Sequence, residues 1–291
     1  MPALFLEAIF YIGTFFESTR RWARDTLPVR MFGLLLWTSA LLPYLVFSIG
    51  AGTFHRNALV LLAVLTGVIA YWYLRLPERF AFDAGFLIVV AAVIISGVFK
   101  RIYVVPQGAD THIHMDVLGH LMWIRVAVAV MLLIREWNPG PVSFWPNRSE
   151  WKAGVLYYVL AVVPVVGIAL GLHFVRFEPV AGPWWRIAGI GVGTFLGFLW
   201  VVALSEELFF RGVIQRTLLN HWNSKLAAIL VSGLIYGAAH LWLRQFPNWP
   251  WLLMTTVLGI VFGILYARSG SIRGPMVAHA LVVTTWRLLF Q

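Results

Sequence analysis

Along this chain, apolar residues gather into runs of about twenty, separated by short polar breaks. Nine such stretches can be marked, at roughly 31–50, 57–76, 80–99, 117–135, 153–173, 187–219, 225–244, 249–268 and 272–290. A helix needs about 20 apolar residues to cross the hydrocarbon core of a bilayer, so each stretch has the length of one crossing. Residues 3–19 are also apolar and predict an amphipathic helix lying in the membrane interface. The segment 136–152, from Glu136 to Lys152 with Pro139, Pro141 and Pro146, breaks the pattern and predicts a linker. It divides an N-terminal membrane region, 1–150, holding the amphipathic helix and about four crossings, from a C-terminal core, 151–291, holding about five. The expected fold is all-α: a polytopic transmembrane helical bundle of about eight to nine spans. No internal repeat or low-complexity tract is visible.

Composition supports this reading and narrows it. Sixty per cent of the residues are hydrophobic and only 12 % are charged, against about 25 % charged in soluble domains. So few charges cannot coat a water-facing surface, and so much apolar side chain excludes disorder. There are no cysteines, which excludes disulfides, thiolate metal sites and a cysteine nucleophile. The net charge of +10 reports topology and anionic lipid in such a chain and calls for no nucleic-acid partner. Of the 22 Lys and Arg, 14 fall on the side of the N-terminal segment and 7 on the other, with Arg125 inside a span. That bias puts the N-terminus in the cytoplasm. The first residues do not read as a cleavable signal peptide: Glu7 interrupts the apolar run, and Arg20, Arg21 and Arg24 follow it instead of preceding it.

Ionisable residues at membrane depth are costly and point to function. The densest group is Ser205-Glu206-Glu207-Leu208-Phe209-Phe210-Arg211, in the sixth stretch. Glu207 and Arg211 are four apart and share a helix face, so they can pair. Glu206 points about 100° away and lacks that partner, which makes it a candidate general base. His240, in Ile235-Tyr236-Gly237-Ala238-Ala239-His240, lies as far after the turn at Trp222–Asn223 as Glu206 lies before it, roughly 25 Å on antiparallel neighbours. His279 is only about eight residues past its preceding turn, roughly 12 Å. It reaches the same level only if the glycine-rich segment 269–275 dips into the protein, as backbone can where it is buried in protein or lines a cavity.

A second polar cluster, Thr111-His112-Ile113-His114-Met115-Asp116 with His120, has metal-ligand residue types. We read it as a polar loop, and no metal or cofactor is expected. Asp83 and Arg125 are expected to pair across helices in a structural role.

The motifs carried by these residues resemble those of the CPBP family, which holds the type II CAAX prenyl endopeptidases and the Abi-like bacterial membrane proteins. Glu206-Glu207 with Arg211 matches its EExxxR motif. His240 matches the histidine of its FxxxH motif, with Tyr236 in place of the phenylalanine. His279 matches the histidine of the third motif, after Ser269-Gly270-Ser271 and Pro275. The likeness covers about 186–291. It implies an intramembrane glutamic-type endopeptidase without metal, in which Glu206 and His240 activate water. Glu207 with Arg211 would support Glu206, and His279 would stabilise the oxyanion. It also implies a peptide or protein substrate, membrane-anchored or processed at its C-terminus, and an integral protein of the bacterial inner membrane. A branch related to C-terminal sorting systems would suit the extra N-terminal region. The family's third motif commonly carries Asn or Asp one turn after its histidine; Val283 stands there in this chain.

Two other classes compete. A proton- or ion-coupled transporter could use the same glutamates and histidines as a relay, but it predicts repeats that the chain lacks. A non-catalytic immunity or scaffold protein could keep the motifs without turnover, as Val283 would allow. The Gly-x-Ser-Gly, His-Glu-x-x-His and Gly-x-Gly-Asp signatures of other membrane proteases do not occur.

Overall fold

The computed structural model describes residues 2–105, 115–137, 145–241 and 246–290. Among these the chain is helical, without a strand; a single isolated bridge pairs Phe177 with Phe290. The helices are α1 Pro2–Phe15, α2 Glu17–Thr26, α3 Val29–Gly50, α4 Arg56–Ala70, α5 Trp72–Arg75, α6 Phe80–Ile95, α7 Val98–Ile102, α8 Asp116–Ile134, α9 Arg148–Gly171, α10 Trp184–His221, α11 Lys225–Ala239, α12 Trp249–Ser269 and α13 Arg273–Leu289.

All nine apolar stretches contain a helix, but they divide by length. Five helices, α3, α8, α9, α10 and α12, are long and apolar enough to cross a membrane. Helices α4, α6 and α11 are apolar but have 15, 16 and 15 residues, roughly 23 Å of rise against a hydrocarbon core of about 30 Å. Backbone breaks set these lengths. Tyr71 leaves the helical region after α4. Gly97, in the left-handed region at φ 64°, follows α6. The chain is an all-α membrane protein; among the described residues five helices have the length and apolarity of a crossing, and shorter helices account for the rest of the eight to nine stretches expected.

Its contacts group into two compact units, Met1–Asn138 and Pro139–Gln291. In the first, α1 packs on α3 and α8 around an ion pair. The Arg125 guanidinium donates to both carboxylate oxygens of Glu7, at 2.6 and 3.1 Å, and to Ser39 Oγ at 3.0 Å. This corrects the expected Asp83–Arg125 pair. Asp83 instead accepts from the Tyr73 hydroxyl at 2.7 Å and from Arg135 at 3.1 Å, and Arg125 is taken by Glu7, the only acid of α1. His112 and His114 lie outside the described residues, and His120 donates its Nδ1–H to its own helix at Asp116 O.

In the second unit, the start of α9 is fixed by a capping box between Asn147 and Glu150. Glu150 also holds Arg273, at the start of α13, at 2.9 Å, and α9 packs along α13 and α12. Helices α11 and α12 share the most extensive contact among the described elements. Glycines face each other there: a Cβ on Gly259 would sit 2.9 Å from the backbone of Gly233. A Cβ on Gly237 would collide with the Thr256 hydroxyl and lie 2.8 Å from Leu252 O. Gly237→Ala should therefore destabilise the protein by about 1–3 kcal/mol, because backbone cannot move aside as a flexible side chain can. Gly189→Ala, where a Cβ meets nothing within 4 Å, should be neutral or slightly stabilising. Thermal unfolding of both variants in detergent micelles checks the contrast.

Candidate active site

The polar cluster lies where α10 meets α11, α12 and α13. Helix α10 runs for 38 residues, roughly 57 Å, far longer than one crossing needs. It is not uniform. Phe198–Ala203 and Leu208–Gln215 are π-helical, and Leu204–Glu207 between them is α-helical. Such widened turns recur at functional sites, because they re-aim side chains that regular helix would place elsewhere. The two glutamates sit on the α-helical turn between them, and Arg211 sits on the second π-helical stretch.

Glu207 is fully buried and its two oxygens are divided between two partners. Oε2 lies 3.0 Å from Arg211 Nε, an ion pair whose N–H does not point along the contact. Oε1 lies 2.9 Å from Nδ1 of His279. Arg211 is also enclosed by aromatic rings: its guanidinium carbon is 4.5 Å from the Tyr236 ring centre and 5.6 Å from that of Phe262. Its Nη2 donates to Gly259 O at 3.3 Å. Phe262 stacks on the His279 ring. A charge taken this far from water needs compensation; residues of four helices surround the pair, though Arg211 Nη1 has no hydrogen-bond partner among the described residues.

Glu206 faces away from this pair, toward α11. Its Oε2 accepts a hydrogen bond from the Tyr236 hydroxyl at 3.1 Å and lies 3.9 Å from His240 Nε2. His240 Nδ1 is 2.8 Å from Tyr236 O. A carbonyl only accepts, so Nδ1 carries the proton, and in the neutral ring Nε2 is left with a lone pair toward Glu206. Glu206 and His240 keep 24 % and 19 % of their side-chain surface, whereas Glu207 and Arg211 keep 0 % and 1 %. The cluster thus has an open layer, Glu206 with His240, and a closed layer behind it, Glu207 with Arg211 and His279.

The five residues singled out in the sequence are all in this cluster. His279 reaches it because the chain turns inward after α12: Gly270, at φ 64°, ends that helix, and Ser271 and Ile272 are 2 % and 0 % exposed. Thr284 and Thr285, near the apolar Val283, are committed elsewhere. Thr284 donates to Ala280 O and Thr285 shares a hydrogen bond with Tyr158. Two residues that sequence reasoning passed over matter. Tyr236 touches Glu206, Arg211 and His240. Gln215, buried four residues after Arg211, donates to Gly263 O at 2.8 Å and ties α10 to α12. A polar residue repeating at four-residue spacing within an apolar helix was the available signal.

This is an integral membrane protein with a Glu–Arg–His cluster among its helices, and the cluster falls inside a recognisable segment. Residues 188–285 match the family model described as type II CAAX prenyl endopeptidase Rce1-like. Over 82 residues the chain is 30 % identical to "Uncharacterized protein YpbD" of Bacillus subtilis (strain 168), covering 28 % of this chain and 38 % of that protein. Over 86 residues it is 35 % identical to "Putative membrane peptidase YdiL" of the same organism, covering 30 % of this chain and 32 % of that protein. The chain thus spans about a third of the length of the curated relatives it matches. No solved structure matches significantly. The matched segment, residues 188–285, is similar to the Rce1-like type II CAAX prenyl endopeptidases and contains the EExxxR and histidine motifs.

Proposed function

We propose that the protein is an intramembrane endopeptidase in which Glu206 and His240 activate a water molecule. The observation that carries this reading is the 3.9 Å gap between Glu206 Oε2 and His240 Nε2. It is too long for a hydrogen bond between them. It is close to the roughly 4.4 Å expected between two acceptors that each take one proton of the same water through bonds of about 2.8 Å. Held so, the water turns its lone pairs outward, where a peptide carbonyl can meet them. Attack forms the C–O bond as the water proton passes to Glu206. That proton then moves to the leaving nitrogen as the C–N bond breaks.

The closed layer serves the oxyanion. His279 gives its Nδ1–H to Glu207, so only Nε2–H can face the developing charge, and it exists only in the imidazolium form. A preorganised donor of this kind is worth about 3 kcal/mol at the transition state. Arg211 neutralises Glu207, which keeps that carboxylate an acceptor for His279 and not a second base. The substrate is a peptide or protein held at the membrane, by its own anchor or by a processed C-terminus, and the protein sits in a bacterial inner membrane with its N-terminus in the cytoplasm.

His240→Gln tests the pair. Gln has no ring to hold an acceptor where His240 Nε2 stands, so the water loses its second anchor; termini present in the membrane and secreted proteome of a host carrying wild type should be missing or about 100-fold depleted with the variant. Terminal-peptide mass spectrometry at equal protein levels reads this. Identical termini in both would move the non-catalytic scaffold and transporter readings ahead.

A further inference from the structure

We propose that Tyr236 is the positioning residue of the Glu206–His240 pair, acting through three separate atoms or groups. This rests on the endopeptidase reading above. Its hydroxyl donates to Glu206 Oε2, the same oxygen that faces His240 Nε2 across 3.9 Å. Its backbone carbonyl receives His240 Nδ1–H at 2.8 Å and so leaves Nε2 as the acceptor. Its ring lies against the Arg211 guanidinium at 4.5 Å, edge-on to Phe210 at 4.9 Å and beside His240 at 4.6 Å. Tyr236 is 1 % exposed, so no solvent competes for the hydroxyl.

The geometry explains why this position gains from a hydroxyl. Glu206 has three rotatable side-chain bonds, and its cation-bearing neighbour Arg211 is taken by Glu207. Among the described residues, the Tyr236 hydroxyl is the donor that fixes the Glu206 carboxylate. Without it, Oε2 can swing away from Nε2, and the two-acceptor arrangement for one water is populated only part of the time. A hydrogen bond from a neutral donor to a carboxylate is strong enough to hold one rotamer. Phenylalanine would fill the same ring space against Arg211 and His240 but could not donate.

Tyr236→Phe separates the hydroxyl from the ring. Two measurements on the full chain in detergent decide the matter. The first is infrared difference spectroscopy, in which the Glu206 carboxylate band is isolated by subtracting Glu206→Gln in each background. Loss of the donor should move that band between wild type and Tyr236→Phe. The second is cleavage of a synthetic peptide copied from the wild-type-only termini. We expect kcat to fall roughly 5- to 20-fold with KM unchanged, since the peptide does not touch the buried hydroxyl. An unmoved carboxylate band, or wild-type kcat while Glu206→Gln is inactive, overturns the proposal and leaves the endopeptidase reading standing. If wild type and Glu206→Gln give the same termini, the endopeptidase reading falls and the positioning role falls with it. Normal unfolding temperature of Tyr236→Phe keeps a general loss of structure from imitating the result.

Discussion

Glu206→Gln should lower peptide hydrolysis by about 100- to 10,000-fold, the range that general-base catalysis contributes, while leaving the fold intact. The amide is nearly isosteric with the carboxylate. Its oxygen still accepts from the Tyr236 hydroxyl, which now lies 3.1 Å from Glu206 Oε2, so no buried donor is orphaned. What is lost is the ability to take a proton from water. Unfolding in detergent should therefore match wild type while the wild-type-only termini vanish. Glu206→Asp sharpens the test. It keeps the charge but withdraws the carboxylate by about one bond from His240, and misplacement on the order of 1 Å costs about 100-fold where geometry matters. A proton relay would tolerate that change; a base held against one water would not. Wild-type cleavage by either variant would overturn the assignment of Glu206 as the base.

Glu207→Gln should fail differently, through stability first. Glu207 and Arg211 are 0 % and 1 % exposed, and removing one member of a buried pair leaves the other charge uncompensated, at about 3–5 kcal/mol. The same change weakens the Nδ1 contact of His279, so activity should drop even in molecules that remain folded. Arg211→Met should be comparably damaging alone. The double variant should be less damaged than the sum of the two, because neither charge is then stranded; a coupling of about 0.5–3 kcal/mol is expected for groups in contact. Thermal unfolding of the four proteins closes this cycle. Additive losses would mean that the 3.0 Å contact does not bind the two residues energetically.

These outcomes rest on residues of different visibility. The charges of Glu206, Glu207 and Arg211 stood out because a polar residue in an apolar helix has no surface role to explain it. Their four-residue spacing was enough to match Glu207 with Arg211 and to leave Glu206 over. His240 could be matched in depth because rise per residue is constant in a helix. Arg125 was equally visible as an ion in a span, yet its partner was misjudged. Spacing relates residues on one helix, but it says nothing of which distant helix lies alongside, and Glu7 is 118 residues away. Tyr236 escaped for a related reason. An aromatic residue in an apolar run reads as packing, and only its contacts reveal a hydroxyl aimed at a carboxylate.

The sequence by itself therefore determined the class: an all-α membrane chain, since apolar runs of about twenty residues admit no other cheap solution for their backbone in lipid. It also singled out the five ionisable residues that the structure brings into one cluster, because their cost in an apolar setting makes them conspicuous. Tertiary structure alone decided which nitrogen faces which oxygen. The division of Glu207 between Arg211 and His279 and the 3.9 Å gap from Glu206 to His240 depend on π-helical turns in α10 and on glycine contacts between α11 and α12, and the inward turn at Gly270 carries His279 to its place. Those are sub-ångström consequences of close packing among several helices, and no local pattern in one of them encodes the result.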